Sequence, residues 1–376
     1  MNTTFNTSGY VLKYFGKYEF IQESPGLAIT CIVLQTIASV VGTFGNALIL
    51  IITARSKGTM TMQSIFIINI AISDMYVTLM ANPMSIVGKV EGRTFFLQYP
   101  ILCEIIGKMC TISCIVSLGS ITFLSFNRYI LICYNSYYEK IFTRTSCIIM
   151  CISLYFLGII MVLLNYAGIG GHGFDDKSLE CIWDRKATYS FTVFFSVCLV
   201  WIPLIVVGVS YFKLFLFVRH KRKQVTSRNS APNIDNKSLR LAKAIFIVYA
   251  VFSICWIPFA ILLVADTDDT FPHEVHLGIT VFAHFHPSFN FFIYYFSNRK
   301  FKTEFHKIFH IVNKENSQVS LSSVTKINMK SSLSNMKSFS TNMKSSSSNM
   351  KLSSSNLFPS ASNIKLSSSN LFPSSS

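Results

Sequence analysis

Charge is scarce in this chain of 376 residues: 13% are Asp, Glu, Lys or Arg, and the acids number 17 against 33 bases. An average soluble domain carries about 25%, so too little polar surface is available to coat a water-soluble fold of this length. Tryptophan occurs three times. Between Met1 and Glu23 no short apolar stretch ends in a small-residue cleavage site, which argues against a removable leader and makes the first apolar run the insertion signal. From Ser317 onward there is no acid at all. Asn-Met-Lys recurs there at 328–330, 335–337, 342–344 and 349–351, but serine fills most positions and no apolar seam persists. That excludes a coiled coil and predicts a disordered tail over 313–376. Its serines are candidates for phosphorylation, which adds charge that a basic partner can grip.

What is abundant is hydrophobicity, at 51% of residues, with 14% aromatic. Apolar runs lie at about 27–54, 62–88, 101–133, 146–168, 189–218, 240–265 and 275–297. Each suffices to cross about 30 Å of hydrocarbon, and a segment in lipid must satisfy its own backbone, so these runs predict helices. The expected fold is an all-α membrane protein: a seven-helix bundle over 26–298, then a short amphipathic helix at 299–312. The net charge of +16 does not indicate nucleic-acid binding, because the bases sit in loops on one side: Arg55 and Lys57, Lys140 and Arg144, the 219–240 cluster, and Arg299, Lys300 and Lys302. By the positive-inside rule that side is cytoplasmic. The opposite side carries Asp175, Asp176, Glu180 and Asp184, then Asp266, Asp268, Asp269 and Glu274, and it includes the 1–25 segment with glycosylation sequons at Asn2 and Asn6. This orientation predicts a multi-pass plasma-membrane protein, amino terminus outside and carboxyl terminus inside.

Most of the ten cysteines fall inside spans and read as small packing residues. Cys103 and Cys181 fall at extracellular ends, where an oxidising compartment favours a disulfide between them. Polar groups inside spans are costly and therefore candidates for function: Asn46, Asp74, Ser117 and Asn290. A buried carboxylate ringed by Ser and Asn oxygens is able to hold a small hard cation or water.

These motifs, in order, resemble class A (rhodopsin-like) G-protein-coupled receptors over roughly residues 25–310. They are Gly45-Asn46; Asp74; Cys103; Asn127-Arg128-Tyr129; Pro203 with Tyr211; Phe252 and Cys255-Trp256-Ile257-Pro258; and Asn290 with Tyr294, then Phe301. The resemblance implies that Arg128 meets the G protein, that Trp256 is the toggle under the ligand pocket and that Pro258 is the pivot of the sixth helix. It implies that Tyr211 and Tyr294 bridge in the active state and that Asp74, Ser117 and Asn290 form an allosteric sodium site, with no other cofactor. The chain departs from the pattern at Asn127 and Ser238, where acids usually restrain the arginine, which points to raised basal activity. It departs again at Asn290-Phe291, where the usual proline is missing, and no cysteine follows Phe301 to carry a palmitoyl anchor.

Aminergic receptors carry an Asp eighteen residues before the arginine; here the residue is Cys110, which argues against a biogenic amine. Opsins carry a Schiff-base lysine six residues before the Asn of the seventh helix; here it is His284, which argues against retinal. His284 and His286 invite a metal reading, but neutral imidazoles bonded within the bundle account for them better. The Asn127–Cys133 stretch and Tyr138-Glu139-Lys140 are most similar to melatonin receptors, whose seventh helix also lacks that proline. On that resemblance Asn165 falls at a ligand-bonding asparagine and Trp183 at a stacking aromatic, while Arg185 replaces a glutamine and Leu199 a histidine. The expected ligand shell is Cys110, Thr111, Asn165, Trp183, Arg185, Leu199, Trp256 and His284. The same signature is similar to insect receptors of germ-cell migration and the blood–brain barrier, whose ligands are lipid-like or unknown, so a lipid- or peptide-sensing orphan receptor stays open beside a melatonin-like one. The implied partners are a small-molecule agonist, a heterotrimeric G protein of the Gi/o type, and arrestin on a phosphorylated tail. A multi-pass transporter needs internal repeats and broken helices, and an enzyme needs a convergent catalytic set; neither pattern is found.

Overall fold

The computed structural model describes residues 3–5, 11–55, 61–226, 236–297 and 299–309. Asn2, Asn6 and the serine-rich tail lie outside them, so the glycosylation and tail expectations do too.

Six helices are long and apolar enough to cross a membrane: Pro25–Arg55, Met62–Gln98, Pro100–Cys133, Arg144–Ala167, Tyr189–His220 and Ala242–Ala265. The seventh span is His273–Ala283 followed by His286–Ser297, two halves of 11 and 12 residues, each too short alone. Pro287 supplies the reason for the break. It has no N–H for the carbonyl of Ala283, four residues back, and its ring crowds that oxygen. The break thus falls at Pro287, three residues before Asn290. Two other prolines act alike. The π-helical turns Val77–Ala81 and Val197–Trp201 lie just before Pro83 and Pro203, where an extra residue per turn relieves the same clash.

The second span runs ten residues past the apolar stretch read from sequence. Lys89, Glu91 and Arg93 ended that stretch, but Lys89 is buried against Glu180. At Gly92 the helix opens to φ 62. A Cβ there would sit 2.2 Å from the Phe15 carbonyl, so glycine lets the amino-terminal segment dock: Arg93 donates its N–H to Phe15 at 2.9 Å and Tyr18 to Val90 at 2.8 Å. Phe15 and Phe20 are buried beside Ala28, Leu179 and Leu277.

The main core joins the cytoplasmic halves through Ile49, Phe66, Leu124, Ile245, Phe252 and Tyr294. Large exposed apolar residues such as Ile29, Val40, Ile149, Phe156 and Phe212 cover the outside, as a bundle facing hydrocarbon requires. A last helix, Arg299–Ile308, packs Phe301 and Phe305 against Phe291. Outside the membrane β3 (His172–Asp175) and β4 (Glu180–Trp183) form an antiparallel hairpin, after β1 (Thr3–Phe5) and β2 (Val11–Lys13). Cys181 of β4 is disulfide-bonded to Cys103.

Candidate functional site

The hairpin seats on the third span because Gly107 leaves room for it. A Cβ there would lie 3.3 Å from both the His172 ring and the Ile182 carbonyl. Beneath it a cavity with about 750 Å³ of atom-free space, counting its mouth, opens between the third, fifth, sixth and seventh spans. Six of the eight expected ligand residues line it: Cys110, Thr111, Trp183, Leu199, Trp256 and His284. The walls are mainly apolar, and no carboxylate lines them. Trp183 stacks on Phe195 at 4.6 Å and anchors its indole N–H on Thr192 at 3.0 Å. The floor is Trp256, stacked on Phe252.

Asn165 and Arg185 lie outside this lining. Asn165 contacts His172 Nδ1 at 2.5 Å, and His172 Nε2 reaches Thr111 Oγ1 at 2.8 Å, so Asn165 touches the wall only through the imidazole. Burial, then the nearby Lys108 charge, hold His172 down at about 4, neutral at ordinary pH. Arg185 is buried in an ionic lid with Asp175, Asp266 and Asp269. Lys177 pairs with Asp269 at 2.9 Å, and Lys186 joins it at 2.5 Å. Burial raises Asp269, but hydrogen bonds from Lys186 and Lys177 and the Arg185 charge outweigh it and leave it at about 2. Asp266, Asp269 and His276 offer ligand atoms within 4.8 Å of one another. Three cations already balance three acids there, which leaves no excess negative charge to attract a metal.

Glu180 was legible only as one of the outer acids. It is 1% exposed, held by Lys89 at 3.1 Å and Gln35 at 3.0 Å. Its other oxygen faces His284 Nδ1 at 3.5 Å. Burial raises this carboxyl, yet the Lys89 and His284 charges prevail and keep it below its ordinary value. The cavity's one lining imidazole is therefore backed by a buried acid.

Below the floor Ser117 donates to Asp74 Oδ1 at 2.9 Å and Asn290 donates to Oδ2. His286 Nε2 lies 3.4 Å from Oδ1. At the cytoplasmic end Arg128, 2% exposed, donates to the Gln63 side chain, and Asn127 donates to the Tyr138 hydroxyl at 3.3 Å. Tyr129 packs edge-on to Tyr134. The Tyr211 and Tyr294 hydroxyls are buried with no hydrogen-bond partner among the described residues.

The family model for the 7 transmembrane receptor (rhodopsin family) matches residues 45–294. The chain belongs to that family. Among the relatives this receptor is similar to are melatonin receptor type 1A of Mus musculus, 25% identical over 75% of this chain and 80% of that one, and that of Gallus gallus, 27% identical over 76% and 82%. The crystal structure of squid rhodopsin shares the fold with a TM-score of 0.67 at 18% identity, covering 82% of this chain and 95% of that one. The receptor is therefore a multi-pass membrane protein of the G-protein-coupled class with a seven-helix bundle, and its family is one of receptors.

Four of the receptor's polar contacts could not be paired from sequence: His172, Lys89 with Glu180, His286 with Asp74, and Gln63 with Arg128. Their partners are brought together only by packing, with Lys89 and Glu180 91 residues apart. His286 alone carried a hint, as an ionisable residue inside a span.

Proposed function

We propose that a flat, largely apolar molecule without a strong positive charge enters from the extracellular face, fills the cavity over Trp256 and switches the receptor at the plasma membrane. The observation that carries this reading is an aromatic wall, Trp183 on Phe195, in a cavity whose lining holds no carboxylate to pair with an ammonium. Hydrogen-bonding groups are few, His284 backed by Glu180 and the hydroxyls of Thr111 and Thr280. Melatonin is the first probe, because the relatives carry that name; lipids and peptides follow. The ligand acts by binding the active arrangement more tightly than the resting one. The cytoplasmic end around Arg128 then engages a G protein, Gi/o by resemblance, with the basic third loop facing acidic lipid. Arrestin binds the phosphorylated tail, and the amino terminus lies outside.

Nucleotide exchange on purified Gi, with and without each probe, tests this. Arg128→Ala should abolish stimulated exchange while probe binding persists. Unchanged exchange in the variant would refute the role of Arg128, and a probe set that binds only as cations would refute the ligand class.

A further inference from the structure

Asp74 accepts from Ser117 and Asn290, and the ring of His286 beside it decides what else can join them. His286 is 3% exposed. Its Nδ1 is 3.0 Å from the Trp256 indole nitrogen and 3.0 Å from the Ala283 carbonyl, while Nε2 faces Asp74 at 3.4 Å. An indole N–H only donates. For Trp256 to be satisfied, Nδ1 must present its lone pair, and the ring proton then sits on Nε2, whose nearest carboxylate oxygen, Asp74 Oδ1, is 3.4 Å away and outside hydrogen-bond geometry. That form under-satisfies one carbonyl, Ala283, which proteins tolerate better than an orphaned N–H. The opposite tautomer satisfies Ala283 but sets two N–H groups against each other at Trp256 and a lone pair against the carboxylate. Two buried mismatches, each costing about 1–3 kcal/mol, outweigh one. A doubly protonated ring meets the same clash at Trp256.

We infer that the His286 imidazole replaces the cation beside Asp74, so that this receptor's resting state is held by an Asp74–His286–Trp256 chain, a hydrogen bond at Trp256 and a charge–dipole contact at Asp74, and is insensitive to sodium. The residues do not fit a sodium ion well. A hard cation seeks oxygen lone pairs, whereas here Ser117 and Asn290 donate to the carboxylate and the His286 ring stands 3.4 Å from its Oδ1. Seating an ion against Nε2 requires the other tautomer and breaks the Trp256 bond. The chain links the second, seventh and sixth spans without an ion, and Trp256 also floors the cavity. An occupant that moves the indole therefore acts on Asp74 directly. None of this depends on which molecule fills the cavity.

The test uses the full-length receptor, purified without ligand, melted in sodium chloride and in choline chloride at equal ionic strength. The wild type should melt identically in both, with equal basal nucleotide exchange. His286→Asn, which offers a carbonyl oxygen instead of the N–H, should gain a sodium-specific rise of roughly 2–4 °C. Sodium-specific stabilisation of the wild type overturns the inference, and so does a folded His286→Asn that ignores sodium. If that variant does not fold, nitrogen-15 resonances of the wild-type ring decide: a protonated Nε2 supports the chain, and an unprotonated one overturns it.

Discussion

Replacing Gln63 by Glu is expected to quieten this receptor. Arg128, 2% exposed at the cytoplasmic end, donates to the neutral amide oxygen of Gln63, while Asn127 stands where an adjacent acid is usual. Gln63→Glu keeps the length and geometry of that bond and makes it ionic. Two unit charges about 4 Å apart attract by about 4 kcal/mol at an effective dielectric of 20. Gln63 is 7% exposed, so desolvating the new carboxylate takes back several kcal/mol of the gain. A net of about 1–2 kcal/mol in favour of the resting state remains, or a factor of 5–30 in the equilibrium. Basal exchange should fall by about that factor, and the agonist concentration for half response should rise with it, since an agonist must offset the added bias. Gln63→Ala removes the bond and should raise basal exchange. The assay is agonist-free nucleotide exchange on purified Gi, normalised to receptor in reconstituted bilayers. If both variants move basal exchange in the same direction, or neither moves it, Gln63 is not the restraint.

Other outcomes follow from the buried charges and the close backbone approach. Lys89→Met strands Glu180 in the bundle and should cost about 3–5 kcal/mol, whereas Lys89→Met with Glu180→Leu should recover most of it; equal melting of single and double variants would contradict the pairing. Asp269 titrates at about 2 in the folded lid against about 3.9 in an unfolded chain. A depressed carboxyl stabilises the fold above its unfolded value and loses that contribution as the pH falls from about 4 through 2. Asp269→Asn should therefore melt lower at neutral pH, by about 2–3 kcal/mol, and converge on the wild type toward pH 2; a constant gap would contradict this. Gly92→Ala should destabilise the docked amino-terminal segment, since a Cβ meets the Phe15 carbonyl at 2.2 Å and φ is positive. Faster proteolysis around Phe15 is the readout, and unchanged protection would count against it.

The seven spans, their order and the position of Asp74 were legible from the chain, because hydrocarbon forces long apolar segments and makes polar interruptions conspicuous, while Arg128 and Trp256 were placed by the family motifs. Six of eight expected pocket residues line the cavity because the family resemblance carried them over position by position onto spans that pack in the family's fold. Arg185 and Asn165 escaped because their environments are made by other segments, the lid acids in one case and the His172 ring in the other. The second span was read ten residues short because a lysine looks like a membrane exit until Glu180 is found against it.

Sequence by itself determined that this protein crosses the bilayer, how often, and which residues stand at each depth, since those follow from local hydrophobicity and helical rise. Only the tertiary structure decided who neutralises whom: Glu180 with Lys89, Gln63 with Arg128, His286 with Asp74. Electrostatic partners in a low-dielectric interior are chosen by distances of a few ångströms between spans, and no local property of the chain encodes those distances.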